Sequence, residues 1–312
     1  MLLSIVFLLI GFVLLVKGAD FFVAGSSATA RRLRIPPVVI GLTIVAMGTS
    51  LPEASVSVTA GLAGSNEIAL SNVIGSNLFN LLVVAGASAL IHPFLADRDI
   101  VRRDLPVNTV VTAVLLALTL NGMLSRFDGL LLLAGIIIYL FVVVRAALAD
   151  RKTLPLDDGD DRAPLPIYLC AILIAGGLAM IVLGGDLVVD AACEIARFVG
   201  LSETVIGLTI VAIGTSLPEL VTSIVAARKG ESELALGNVV GSNLFNLLFI
   251  MGMSATLSPL AVLRENMFDL GLLLVLTAGV WLLCRLRPKL DRKAGMAGIA
   301  IYVLYTIYIL VR

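Results

Sequence analysis

The sequence predicts an all-α polytopic membrane protein of ten transmembrane helices, arranged as two inverted five-helix repeats. Three observations carry that prediction. The 312 residues are 59% hydrophobic and only 14% charged, with a mean hydropathy of +1.08, whereas an ordinary soluble domain has about a quarter charged residues. The apolar residues fall into ten runs, each near the roughly 20 residues that span a bilayer. The first half of the chain also recurs in the second at a constant offset.

The runs cover 2–24, 36–62, 67–91, 105–122, 127–148, 166–189, 203–227, 232–257, 267–285 and 294–311. The first is followed by small residues, as a secretory signal would be. No Lys or Arg precedes Lys17, however, and a signal peptide needs a basic start, so the run is expected to be a retained helix. The one compositional break, 149–165, holds Pro155, Asp157, Asp158, Gly159, Asp160, Asp161 and Pro164. It separates a first repeat (1–148) from a second (166–312). Its acidic cluster lacks the alternating ligands and terminal Glu of a calcium-binding loop and reads as a solvated linker. Cys170, Cys193 and Cys284 have no CxxC spacing, which argues against a disulfide framework or thiolate metal site. His92, before Pro93, reads as an interfacial loop residue. The formal net charge is zero and gives no footprint for nucleic acid.

The halves are one sequence twice. Gly41-Leu-Thr-Ile-Val-Ala-Met-Gly-Thr-Ser-Leu-Pro-Glu53 recurs as Gly207-Leu-Thr-Ile-Val-Ala-Ile-Gly-Thr-Ser-Leu-Pro-Glu219, differing only at Met47/Ile213. Asn72-Val-Ile-Gly-Ser-Asn-Leu-Phe-Asn-Leu-Leu82 recurs as Asn238-Val-Val-Gly-Ser-Asn-Leu-Phe-Asn-Leu-Leu248, differing only at Ile74/Val240. Both pairs lie 166 residues apart, and the same offset carries Gly18 and Asp20 onto Gly184 and Asp186. Five crossings separate equivalent positions, so equivalent segments run in opposite directions. Loops on one side carry 17 Lys and Arg residues and loops on the other carry 4, with Lys17 inside the first run. By the positive-inside rule the linker is cytoplasmic and both termini face outward, in a plasma (inner) membrane. Inverted repeats holding substrate near the midplane are the architecture of many secondary transporters.

Glu53 and Glu219 lie inside apolar runs, where an unpaired carboxylate is costly and marks a functional position. Neither run offers a Lys or Arg at that depth, so cations or protons must supply the counter-charge. Ala46, Thr49, Ser50 and Glu53 are spaced i, i+3, i+4, i+7 and share one helical face. Pro52 lacks an N–H and clashes with the carbonyl of Gly48, four residues back. A helix broken there exposes carbonyls beside the hydroxyls of Thr49 and Ser50, the oxygen mixture that hard cations take. Ala212, Thr215, Ser216, Pro218 and Glu219 repeat the pattern. Asn72, Ser76 and Asn80 form a second polar stripe, as do Asn238, Ser242 and Asn246. Gly75 and Gly241 let a neighbouring helix approach. Asn72 and Asn238 read equally well as interhelical glue or as site groups. Asn77 and Asn243 point off the stripe and read as glue, and Asp20 and Asp186 as interfacial groups.

These doubled motifs resemble the α-repeats of the sodium/calcium exchanger family, within the cation/Ca²⁺ antiporters, over the whole ten-helix layout. The resemblance implies exchange of Na⁺ for Ca²⁺ by alternating access, with sites between helices two, three, seven and eight. It implies that Glu53 and Glu219 bind Ca²⁺ or Na⁺, that Thr49, Ser50, Thr215 and Ser216 add hydroxyl or carbonyl oxygens, and that Ala46 and Ala212 add carbonyls. Ser76, Asn80, Ser242 and Asn246 would complete the site, and the first and sixth helices would slide to switch access. The last residue of the second motif is often Asp in the second repeat of potassium-dependent members. Here it is Asn246, which leaves two formal charges and disfavours K⁺ co-transport.

Two unpaired carboxylates in a low dielectric repel each other, so the empty site should resist switching, and one Ca²⁺ or several Na⁺ would relieve it. The alternative is an H⁺-coupled or K⁺-influenced divalent cation antiporter using the same two glutamates. A channel would need a continuous pore rather than two broken helices. An intramembrane hydrolase would need a base that Ser50 and Ser216 lack. The expected partners are the transported ions and the lipid bilayer, with no enzyme activity, no cofactor and no obligatory protein partner.

Overall fold

The computed structural model describes residues 2–150, 165–200, 206 and 210–311. Most of the 149–165 linker, and residues 207–209 of the second copy of the first motif, lie outside the described residues. The described chain is helical: α1 (Leu2–Leu33), α2 (Pro37–Thr49), α3 (Leu51–Leu62), α4 (Asn66–Phe79, continuing to Ile91), α5 (Leu105–Thr119), α6 (Arg126–Asp150), α7 (Ile167–Phe198), α8 (Ala212–Gly214), α9 (Leu217–Arg228), α10 (Ser232–Phe245, continuing to Leu257), α11 (Arg264–Leu286) and α12 (Arg292–Val311). Among the described residues seven helices are long and apolar enough to cross a bilayer, and the bent pair α2–α3 makes an eighth. The expected span at 105–122 is the 15-residue α5, preceded by a wide π turn at Ile100–Asp104. The span at 203–227 falls partly outside the described residues.

α1 and α7 each run 32 residues, about 48 Å at 1.5 Å per residue, longer than a hydrocarbon core of roughly 30 Å, so they tilt or project beyond it. The sequence places their ends near 24 and 189, where hydropathy drops. The helices continue because small residues such as Gly25, Ser26, Ser27 and Ala28 remain helical and are buried. They cross antiparallel, Gly11 meeting Gly184 and Gly18 meeting Gly177. A Cβ on Gly11 would sit 2.8 Å from the Gly184 carbonyl oxygen, so glycine is what permits this approach. Gly11 and Gly18 are the 166-residue equivalents of Gly177 and Gly184. The crossing is therefore a pseudo-two-fold contact between equivalent helices running in opposite directions.

The loops sort to two ends. Strand β1 (Phe94–Leu95) pairs antiparallel with β4 (Lys289–Leu290), and β2 (Met123–Leu124) with β3 (Leu260–Ala261). The Arg292 guanidinium donates to the Leu90 carbonyl, and Ser232 Oγ lies 3.4 Å from His92 Nδ1. These contacts gather the Arg- and Lys-rich loops at one end, as the alternating charge pattern requires. The outer rim is apolar: Ile137 is 68% and Phe141 64% exposed, a surface suited to lipid and not to water.

Candidate functional site

Both copies of the first motif break at the same residue. Ser50 (φ −84°, ψ 12°) and Ser216 (φ −93°, ψ 8°) leave the helix just before Leu-Pro. The α2–α3 break bends the chain by 49°. Pro52 and Pro218 sit in the first turns of α3 and α9, where a missing N–H costs nothing. Glu53 and Glu219 follow in those same turns, at helix N-termini that favour negative charge.

The second motif meets this break with its own irregularity. α4 passes through a π turn at Asn80–Val84 and α10 through its equivalent at Asn246–Ile250. Single wide turns of this kind often mark functional positions. Each begins on the last Asn of the Gly-Ser-Asn-Leu-Phe-Asn motif and widens the helix where that side chain turns inward.

The side chains converge across the halves. Ser50 Oγ donates to Glu219 Oε1 and Ser216 Oγ donates to Glu53 Oε1, each at 2.8 Å. Glu53, Glu219, Ser50 and Ser216 are all fully buried. Ser242 Oγ stands 3.5 Å from Glu219 Oε1. Asn72 Nδ2 donates to Ser57 Oγ at 2.9 Å and reaches the Glu53 carbonyl at 3.4 Å, and Asn238 repeats both bonds with Ser223 and Glu219 at the same distances. Asn77 and Asn243 clasp each other's backbone, Asn77 Nδ2 to the Asn243 carbonyl at 3.3 Å and Asn243 Nδ2 to the Asn77 carbonyl at 3.2 Å. Asn246 Nδ2 donates to Asn77 Oδ1 at 3.1 Å.

What remains unpaired defines the site. Glu53 Oε2, Glu219 Oε2, Ser76 Oγ, Asn246 Oδ1 and both polar atoms of Asn80 are buried without a hydrogen-bond partner. An unsatisfied buried polar group is expensive, and a charged one more so. No Lys or Arg pairs with either glutamate among the described residues, and no third Asp, Glu, His or Cys joins them. The atoms left over are mostly oxygens, the donor set of a hard cation and not of a thiolate or imidazole metal.

Of the twelve residues singled out from sequence, hydrogen bonds tie Ser50 and Ser242 to Glu219 and Ser216 to Glu53, two groups that each cross between the halves, while Ser76, Asn80 and Asn246 carry buried orphan atoms. Thr49 and Ala46 are fully buried. Thr49 Oγ1 lies 3.1 Å from both the Val45 carbonyl and Asn238 Oδ1. Thr215, unlike its equivalent Thr49, is only partly buried. Ala212 opens α8; its side chain lies outside what is described. Asn72 and Asn238 act as braces on the glutamate-bearing turns, a role the sequence left undecided, while Ser57 and Ser223, their partners, were not singled out at all. Their signal was present, since both sit one turn beyond the glutamates at the shared 166-residue offset.

A family model described as sodium/calcium exchanger protein matches residues 3–145 and, again, residues 169–311. The chain belongs to this family. The two matches start 166 residues apart, the offset of the internal repeat. Among members of known sequence, the chain is 38% identical over 307 residues to the inner membrane protein YrbG of Escherichia coli, covering 95% of this chain and 93% of that one. It is 31% identical over 297 residues to the sodium/calcium exchanger MaX1 of Methanosarcina acetivorans, covering 84% and 85%. The structure superposes on that of the sodium-calcium exchanger NCX_Mj soaked with zero Na⁺ and Ca²⁺ with a TM-score of 0.87 and 30% identity, covering 99% of both chains. Membership of an exchanger family makes the chain a transporter and not an enzyme.

Proposed function

We propose that the chain is a secondary antiporter that exchanges Ca²⁺ for Na⁺ by alternating access, through ten spans in two inverted halves (1–148 and 166–312) joined by the 149–165 linker. The observation that carries this reading is the set of buried, unpartnered oxygens around two glutamates from opposite halves. One Ca²⁺ neutralises both carboxylates, and Na⁺ ions compete for the same oxygens. The transported ion would be held by Glu53 and Glu219, with Ser50, Ser76, Asn80, Ser216, Ser242 and Asn246 around them. Thr49, Thr215 and the carbonyls of Ala46 and Ala212 lie on the same motif faces. Ions are the cargo, so the reading calls for no resident cofactor and no obligatory protein partner.

The support for the layout is the twice-matching family model and the antiparallel α1–α7 crossing of equivalent glycines. The gathering of basic loops at one end supports an inner-membrane orientation with a cytoplasmic linker and external termini, and the similarity to YrbG, named as an inner membrane protein, agrees with it.

The test is Ca²⁺ flux in proteoliposomes under imposed Na⁺, K⁺ or H⁺ gradients, with Glu53→Gln and Glu219→Gln as controls. An outward Na⁺ gradient should drive Ca²⁺ uptake, and both variants should abolish it. Uptake driven by a pH gradient alone would transfer the coupling to protons. Uptake indifferent to every gradient, or retained in both variants, would remove the antiporter reading.

A further inference from the structure

The two halves are nearly identical in motif but not in state. Beside α3 lies an open groove of about 390 Å³ whose walls include Thr59, Ala60, Ala63, Ser65 and Ile68. The 166-residue offset converts these into Val225, Ala226, Lys229, Glu231 and Leu234. That equivalent surface is not open. Val225, Ala226 and Leu234 are buried in one cluster with Phe22, Val23 and Ala30 of α1. No comparable packing joins α7 to α3 among the described residues.

Polar contacts tie the filled groove shut. Lys229 Nζ lies 3.1 Å from Asp20 Oδ1 and donates to the Asp20 carbonyl at 2.9 Å. Arg31, near the end of α1, lies 3.6 Å from Glu231. The open groove has Ala63 and Ser65 where Lys229 and Glu231 would stand, so neither of these two ion pairs has a counterpart there. The glycines agree on which side is closed. A Cβ on Gly241 would lie 2.7 Å from Ala46 Cβ and Leu42 Cα, whereas its equivalent Gly75 would meet nothing within 4 Å among the described residues.

We infer that Asp20–Lys229 and Arg31–Glu231 form an ionic latch that holds α1 over the α9–α10 corner. Because Ala63 and Ser65 replace Lys229 and Glu231 at the opposite end, these two pairs favour one state only, and the state open at the Thr59 groove is the resting one. The inference rests on the alternating-access reading above, and adds to it a built-in bias between the two states. The pairs are partly exposed, so each contributes modestly, and a modest bias suffices because the latch only tilts a two-state equilibrium.

The test uses the full-length chain in sealed vesicles with a single added thiol. Cys170, Cys193 and Cys284 are all buried, so a membrane-impermeant maleimide reads the added one. Val225→Cys, read in inside-out vesicles, reports opening of the latched groove, and Thr59→Cys, read in right-side-out vesicles, reports the open one. Lys229→Gln should speed Val225→Cys labelling about threefold, and adding Arg31→Gln should bring the increase to about tenfold, the range expected for exposed ion pairs. Exchanging the charges (Asp20→Lys with Lys229→Asp) should return the rate to within about twofold of the parent. An unchanged rate in the double variant overturns the latch. So does an increase that the charge exchange fails to reverse, because loosened packing would then be the cause. Labelling requires no flux, so a parent protein without Na⁺-driven Ca²⁺ uptake would remove the antiporter reading and leave the labelling result standing.

Discussion

Glu219→Gln removes one of two buried charges while keeping the shape and the oxygen that accepts from Ser50 at 2.8 Å. Its effect on ion binding can be sized from the site. Glu219 is fully buried, its Oε2 has no partner, and no basic residue pairs with it among the described residues. In the proposed site a bound Ca²⁺ would be its only counter-charge, and removing one member of a buried charge pair costs about 3–5 kcal/mol. Taking the lower figure, the Ca²⁺ dissociation constant rises about 160-fold. At a Ca²⁺ concentration 100 times the parental constant, binding stabilises the parent by about 2.7 kcal/mol and the variant by about 0.3 kcal/mol. Thermal unfolding of the purified protein, with Ca²⁺ titrated into chelator, reads this directly as a Ca²⁺-dependent shift in Tm. The ion-free baseline should move the other way. Without Ca²⁺ the parent must hold two buried carboxyl groups with no counter-cation, either charged or protonated, and the variant only one, so the variant should melt at least as high as the parent in chelator. A variant that retains the full Ca²⁺-dependent shift would refute the assignment of Glu219, and one that melts lower in chelator would refute the electrostatic reasoning.

Three further outcomes are expected. Ser50→Ala and Ser216→Ala each delete a 2.8 Å hydrogen bond to a buried carboxylate, worth about 1.5–3 kcal/mol. The two should lower the ion-free Tm by similar amounts, and a large difference between them would contradict the pseudo-two-fold arrangement. Gly241→Ala drives a methyl into Ala46 and the Leu42 backbone and should cost about 1–3 kcal/mol. Gly75→Ala meets nothing within 4 Å among the described residues and should be neutral or stabilising by up to about 1 kcal/mol through helix propensity. Denaturation of the pair side by side checks the opposite signs. Gly184→Ala places a Cβ 2.8 Å from the Gly11 carbonyl, and the separation of α1 from α7 should appear as a lowered Tm and slowed exchange in the same preparation.

The bilayer-spanning character, the internal repeat and the two buried glutamates were legible because each follows from local chemistry. A carboxylate in an apolar run, a Pro one residue before it and a motif repeated at a fixed offset need no tertiary information. The ends of α1 and α7 were not legible. Hydropathy falls at Gly25–Ala30 although the helix does not, because burial against other helices sustains it. The inequality of the halves was invisible for a deeper reason. Thr49 and Thr215 sit in almost identical sequence, yet Thr49 is fully buried and Thr215 only partly so, and among the described residues Gly241 is tightly packed while Gly75 meets nothing. That difference belongs to the conformational state, and nearly symmetric sequence must be able to adopt it either way round.

The pairing of these buried residues shows what helical-face reasoning misses. Ser50 and Glu53 share a face of one broken helix, which suggests that they act together. In the structure each serine instead donates to the glutamate of the opposite half, while Asn72 and Asn238 brace the turn that carries the glutamate of their own half. Orientation is thus supplied within a half and hydrogen-bond satisfaction between halves. Neither half alone completes the set of partners its glutamate requires. Movement that separates the halves must strip a hydrogen bond from a buried carboxylate unless a cation is present to replace it. Transport that is obligatorily coupled to occupancy follows from that dependence, because the empty site is held together by the same bonds that the loaded site can do without.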